Sequence, residues 1–543
     1  MPSFETQDDS LIRRFLRNNF YEIILMFAFV IYIITWSKVT LDRLFTLNVL
    51  WADFGISVEQ MWLVFHNNWN LLGFLYVFFN NGFTFVLSPL IIAQNFQLLL
   101  VIQSIAIGAA SLPIYGISRH LTSSKKLSLF VSILYLFYFP ISGLNWYDFH
   151  NEAFFPVLFL LGYYLYIKDR KLISLIPFFL SATVRFPYAG FLLLLAIILL
   201  FEQLISNLRK KNGLRIKDLS YIGALLSISL FLLIGSYLLN GHFSYVGAVL
   251  HYTNSAKNRI LIGLETFLFV FLPVGFTPFL SKKWALTYTP YFIITVFIGG
   301  YGFVVPTAFH YQYTAMVVPF VFLGFIDFLA SISDRRNSWI KKRIRFVKKN
   351  LTIYKKVIVV CVAALTIATG LLFEPYSPLN KSNFDNFNNF GNYAAGNTSN
   401  YAYLIDVLAF IPRNNSSVLI QDNLPEVYPR PESIVTFPNS IEMLVAGDIS
   451  NLQFSKNLSL SEFKKNSYEV ITYSGIPYKQ AIYNVSIDYA LAFTNSPWYY
   501  AGPPSMQFFV QEMNASGKYG IVVNFHGFIL LEWDYKGPVL LKS

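Results

Sequence analysis

Apolar runs of membrane-spanning length recur through the first 373 positions of this chain, and they limit its fold more strictly than any other feature. A helix needs about 20 mostly apolar residues to cross a hydrocarbon core. Inside a bilayer the backbone has to satisfy its own hydrogen bonds. The runs lie at 20–37, 95–117, 127–146, 153–167, 172–184, 188–204, 219–239, 260–280, 285–304, 313–332 and 357–373. They predict eleven crossings, with 172–184 short enough to form a hairpin with its neighbour. Only 13% of the 543 residues are charged, against about 25% in soluble domains. An α-helical polytopic membrane protein is expected. Its first run has no small-residue cleavage pattern after it and reads as a retained helix.

The net charge of +12 raises the question of nucleic acid, but its distribution answers it. Most of the 41 Lys and Arg fall at 13–17, 119–126, 168–171, 209–217, 282–283 and 335–356, in loops that alternate onto one side. The opposite loops of the membrane region hold only Lys38, Arg43, Arg185, Lys257 and Arg259. That asymmetry places the N-terminus, residues 1–19, and the basic loop 333–356 in the cytoplasm. No nucleic-acid partner is expected; membrane lipids are.

An odd number of crossings then puts the C-terminal region outside the plasma membrane. Asn-x-Ser/Thr sequons start at Asn397, Asn414, Asn415, Asn457, Asn484 and Asn514, all after the last run; only Asn350 lies earlier. Such sites are glycosylated only on exported chain, which suggests an archaeal or eukaryotic cell envelope. Residues 374–400 read as an Asn- and Gly-rich linker. From 401 to 543 the stretches "SSVLIQ", "YEVITY", "DYALAF" and "YGIVVNFHGFILLEW" read as strands, the last a hairpin turning near His526–Gly527. "PPSMQFFVQEMNASG" reads as a short helix ending at Gly517. A small external α/β domain is expected. The single cysteine, Cys361, lies in an apolar run, so neither an intrachain disulfide nor a cysteine metal site is possible.

Ionisable groups near membrane depth usually face a cavity. Here they gather in the outer loops. Residues 38–81, rich in Trp and Phe, read as an external interfacial segment, and 82–93 as re-entrant or interfacial. The first of these carries Asp53, Glu59 and Gln60 in "WADFGISVEQMW". The next outer loop, "NWYDFHNEAFFP", holds Asp148, His150 and Glu152. In an extended loop these three point to one side, where they could hold a divalent cation such as Mg or Mn, or act as acid and base. A solvated loop end is the alternative. Arg185, close to apolar runs on both sides, calls for a carboxylate or a phosphate, with snorkelling as the alternative. His242, His251, Lys257, Arg259, His310 and Tyr311 complete the outer polar set.

Several ordered stretches resemble domain-of-unknown-function family 2079. "ADFGISVEQMW" resembles its D-L-G-x-x-x-Q-x-x-W segment, with Glu59 at the Gln position and Gln60 next to it, and "DFHNEAFFP" resembles its F-H-x-E-x-x-x-x-P segment with the proline one position closer. "HYQYTAMVVP" is similar to its H-Y-x-x-x-x-x-P segment with the proline two positions further on, and "IPRNNSSVLIQDNLPEVYPRPESIVTFP" to its external domain. The family's K-E-D after the fifth span is here "VRFPYAG", in which Arg185 keeps the positive charge and Phe186 and Pro187 replace the acids. The histidine that often precedes Ser-Pro is absent from "FTFVLSP".

The layout also resembles the polytopic (type C) glycosyltransferases. That resemblance implies a lipid-linked sugar donor (a polyprenyl phosphate or diphosphate) and a catalytic acid at Asp53. It also implies phosphate counter-charges at Arg185, Lys257 or Arg259. A non-catalytic envelope anchor and a lipid or solute transporter remain as other classes.

Overall fold

In the computed structural model, the described residues are 16–47, 53–66, 71–93, 95, 97–146, 148–210, 216–240, 264, 267–281, 283–298, 312–333, 351–374, 377, 379, 397–412, 416, 418–420, 424, 434–436, 470–471, 488–495, 510–511, 514, 517 and 519–542. The protein is mostly helical with one small C-terminal sheet. Among the described residues five helices are long and apolar enough to cross a membrane: Phe20–Phe45, Gln97–Thr122, Pro187–Leu208, Ile216–Leu239 and Lys356–Phe373. Two bent pairs raise the number to as many as seven. Leu71–Asn81 and Thr84–Ala93 meet at 100°, and Lys125–Leu136 and Phe139–Trp146 at 50°. Asn151–Ile167, Lys171–Thr183 and Val318–Ile332 are apolar but shorter.

Three expected runs take a different form. The first helix does not stop at residue 37. Nothing in "SKVTLDRLF" breaks it, and a Lys38–Asp42 ion pair one turn apart (2.5 Å) supports its extension to Phe45. The run 127–146 is bent, because Tyr138 is extended and Pro140, without an N–H, sits in a 3-10 turn over Phe139–Ile141. The run 260–280 is not one helix. Its described part passes into 3-10 turns at Leu272–Val274 and Thr277–Leu280, with left-handed Gly275 and Phe276 between them. Pro273 and Pro278 each remove a donor the helix would need.

The chain divides into two compact units: 1–37, 101–146 and 151–382, and 38–100, 147–150 and 383–543. Of the five long helices, Gln97–Thr122 is the most buried, with 67% of its apolar stretch covered; the figures for Phe20–Phe45 and Lys356–Phe373 are 28% and 17%. Such exposed apolar helix surface suits lipid, not water. Small residues let the helices approach. A Cβ on Gly162 would sit 2.8 Å from the Phe178 ring. Polar ties join helix ends that the charge pattern assigns to one side. Glu22 accepts from Arg119 and pairs with Lys125, Lys171 pairs with Asp218, and Lys283 with Glu202.

The second unit holds a seven-stranded mixed sheet in the order β3-β2-β1-β4-β6-β5-β7. The strands are β1 Val418–Ile420, β2 Ile434–Thr436, β3 Val470–Ile471, β4 Tyr489–Phe493, β5 Tyr519–Phe525, β6 Phe528–Trp533 and β7 Leu541–Lys542. β1 runs parallel to β2 and β4, whereas β4–β6 and β5–β6 are antiparallel. The four stretches read as strands contain β1, β3, β4 and the β5–β6 hairpin. The hairpin turns at His526 (φ 47) and Gly527 (φ 88), the two positive angles of a tight two-residue turn. The helix Asn400–Leu408 buries Leu404 and Val407 in the sheet's core, with Phe493, Val523 and Phe528. Leu47, from the end of the first long helix, joins the same core.

Candidate functional site

Residues 142–146 are fixed from within the first unit. Asn145 is fully buried; its Nδ2 donates to Tyr32 Oη (2.8 Å) and its Oδ1 accepts from Ser104 Oγ (2.8 Å). Gln103 Nε2 donates to the Leu144 carbonyl at 2.8 Å. A buried amide with both ends engaged holds a backbone firmly, because leaving either end unpaired costs about 1–3 kcal/mol. Ser142 Oγ donates to the buried Glu374 carboxylate at 2.5 Å, which ties the start of the segment to the end of the last helix.

Beyond Trp146 the chain is irregular through Asp148–His150 and then forms a 3-10 turn over Asn151–Phe154. Asp148, His150 and Glu152 are all buried, at 5%, 5% and 4% exposure, so the solvated-loop alternative fails for each. The expected two-residue alternation does not run through all three, because the 3-10 turn interrupts it before Glu152. Among the described residues no group of three His, Cys, Asp or Glu side chains is arranged to hold a metal ion. His150 Nδ1 lies 3.3 Å from the Asp148 carbonyl, a backbone acceptor. A neutral ring that donates there carries its proton on Nδ1.

Glu152 forms a short ion pair with Arg185 Nη1. Arg185 sits between the helices Lys171–Thr183 and Pro187–Lys210, where Pro187 presets the first turn of the second. The acid side chain is 5% exposed and the guanidinium 36%. The carboxylate is thus buried while part of the cation faces outward, with a fork of donors suited to carboxylate or phosphate. Glu152 reaches Arg185 from the 3-10 turn Asn151–Phe154.

In the second unit the helix Asp53–Phe65 begins at Asp53. Phe54, Val58 and Met61 are buried along it, and the Phe54 ring packs 6.1 Å from that of Phe149. At about 100° per residue, position 60 returns to the face of position 53, while 59 lies about 120° away. Gln60 is buried and accepts from Asn81 Nδ2 at 3.4 Å. Lys257, Arg259, His310, Tyr311, His242 and His251 lie outside the described residues, as do Asn414, Asn415, Asn457 and Asn484. Asn397 and Asn514 are exposed. The sequence reading missed Glu374, which follows the last helix directly, and the burial of Arg43, which it counted only as a loop charge.

The sequence profile of DUF2079, described as a predicted membrane protein, matches residues 80–453. The chain belongs to this family. The DUF2079 match takes in the 142–156 segment, Arg185 and the first strands of the sheet, while Asp53, Glu59 and Gln60 precede it. No curated protein matches the chain.

Proposed function

We propose that this DUF2079 protein is a membrane glycosyltransferase that takes a sugar from a polyprenyl-phosphate-type donor at the outer face of the plasma membrane. In this reading the chain crosses eleven times, residues 374–400 link, and 401–543 form an external domain carrying the occupied sequons. The observation that carries the reading is the ion pair between the buried Glu152 carboxylate and the part-exposed Arg185 guanidinium at the ends of apolar helices. Charges are kept there only where they serve a polar ligand or each other.

The chemistry divides among named residues. Arg185, with Lys257 and Arg259, neutralises the donor phosphate as the bond to the anomeric carbon breaks. Asp53 accepts the proton of the attacking acceptor hydroxyl, with Gln60 on the same helix face orienting it and Glu59 as a further acid on that helix. His150 and Asp148 form a second acid–base pair, and His310 and Tyr311 contact the donor. A divalent cation, where one takes part, would be held beside the donor phosphate by Asp148, His150 or Glu152 and would neutralise the leaving group.

A non-catalytic envelope anchor is the second reading, favoured by the absence of the two acids after Arg185. Detergent-purified protein incubated with labelled polyprenyl-phosphate sugars separates the two. Release of label by wild type, lost in Asp53→Asn, supports the enzyme. Equal inertness with donor still bound supports the anchor.

A further inference from the structure

The two helices that meet at Arg185 are too short to carry it across a bilayer, and their lengths fix how deep it lies. A polar layer ties three consecutive helices of the first unit together at one end. Lys171 pairs with Asp218, Gln203 Nε2 donates to Asp218 at 3.0 Å, and Lys283 pairs with Glu202 at 2.9 Å. Charges so gathered mark one edge of the hydrocarbon. From that layer the Ile216–Asn240 helix rises about 33 Å between Asp218 and Asn240, enough to cross a core of about 30 Å. The Lys171–Thr183 helix rises only about 18 Å, and the Pro187–Lys210 helix about 22 Å between Glu202 and Pro187. Arg185 lies in the link between these two and so stops about 10 Å short of the opposite edge. Tilt only increases the shortfall. Glu152, its ion-pair partner, lies at the same level.

A guanidinium at that depth needs water or protein around it. Glu152 answers part of its charge, and 36% of the Arg185 side chain stays exposed. The neighbouring surface shows that this exposure is not toward lipid. On the Lys171–Thr183 helix the exposed apolar side chains, Leu172, Ile173 and Ile176, all lie in the half next to the ion-pair layer. Among the described residues, none from 177 to 200 exposes as much of its surface as these three do. Protein therefore walls the Arg185 end of both helices. Inside that wall there is room: a Cβ on Gly190, in the first turns of the second helix, would meet no atom within 4 Å.

We propose that Arg185 and Glu152 stand at the floor of a water-filled recess, about 10 Å below the membrane edge opposite the ion-pair layer, with Gly190 on its wall. The charge pattern makes that edge the outer one. The recess goes beyond the reaction proposed above, because it states the route to the site and not the chemistry done there. An anionic group that meets Arg185, whether on a lipid or in solution, has to leave the plane of the lipid headgroups and descend into the recess.

The test uses full-length protein in lipid nanodiscs, where both faces meet the solution. A thiol reacts as its thiolate, which forms in water and not among acyl chains. In a Cys361→Ser background, Gly190→Cys should react with a charged methanethiosulfonate at least about tenfold faster than Leu230→Cys. Leu230 is the matched control: both positions lie about 18 Å above the ion-pair layer, but Leu230 is 45% exposed on an apolar helix. Equal rates at the two positions, or no reaction at Gly190→Cys, would overturn the proposal. Wild type supplies a second reading without a variant. Water-soluble p-hydroxyphenylglyoxal should modify Arg185, read by peptide mass spectrometry, and an Arg185 left unmodified while the exposed Arg119 is modified also overturns it. Neither reading uses a donor or a sugar, so the recess can fail while the transferase reading stands, and the reverse.

Discussion

Glu152 and Arg185 differ in how much each loses with its partner. The buried member is the acid, so Arg185→Met leaves a carboxylate at 5% exposure without its cation, whereas Glu152→Gln leaves a guanidinium that water can reach. Arg185→Met is expected to cost about 3 kcal/mol and Glu152→Gln about 1 kcal/mol, read as midpoint shifts in detergent thermal unfolding. Glu374, the first residue beyond the last helix, adds a pH dependence. Burial raises its pKa to about 8, against a smaller lowering by the Ser142 hydrogen bond. A carboxyl whose folded pKa lies above its unfolded value of 4.5 contributes stability below that value and loses it as pH rises through 8. Wild type should therefore lose stability between pH 5 and 9, and Glu374→Gln should flatten that loss; parallel melting curves for the two would contradict it. Asp148, His150 and Glu152 were legible in the sequence because ionisable residues between apolar runs are rare. Glu374 and Arg43 were not. A single acid at a helix end, or an arginine near one, looks the same in sequence whether it is buried or wet.

At the scale of elements, the β5–β6 hairpin was read to the residue, because a His-Gly pair between alternating apolar runs has few other uses. Gly527 holds φ 88, and a Cβ there would collide with the Asn495 side chain. Gly527→Ala is expected to cost about 1–3 kcal/mol and to lower the melting temperature of the sheet-containing unit by circular dichroism near 218 nm. The helix boundaries were less legible. The reading ended the first helix at 37 because hydropathy falls at Lys38, yet helical geometry ends only when the backbone meets a breaker, and none comes before Phe45. At 260–280 the opposite happened: apolar character persists through "FLPVGFTPFL" while two prolines and a left-handed glycine stop the helix. Composition tracks the membrane, and hydrogen-bond donors track the helix.

For the whole molecule, the membrane class followed from run length and charge alone, and family membership agrees with it. The distribution of Lys and Arg predicts a sidedness, and that prediction has its own test. In a Cys361→Ser background, an impermeant maleimide on intact cells should label Asn397→Cys and leave Ser123→Cys unlabelled until the membrane is opened. The reverse pattern would put the C-terminal unit inside. The chemistry is tested most directly in proteoliposomes containing the full-length protein and a polyprenyl-phosphate donor with labelled sugar. Wild type should move label from the donor to a water-soluble product or acceptor on the side of the C-terminal unit, and Asp53→Asn should leave it on the lipid. Equal retention of label by wild type and Asp53→Asn, with donor bound to both, would contradict the assignment of this protein as a glycosyltransferase.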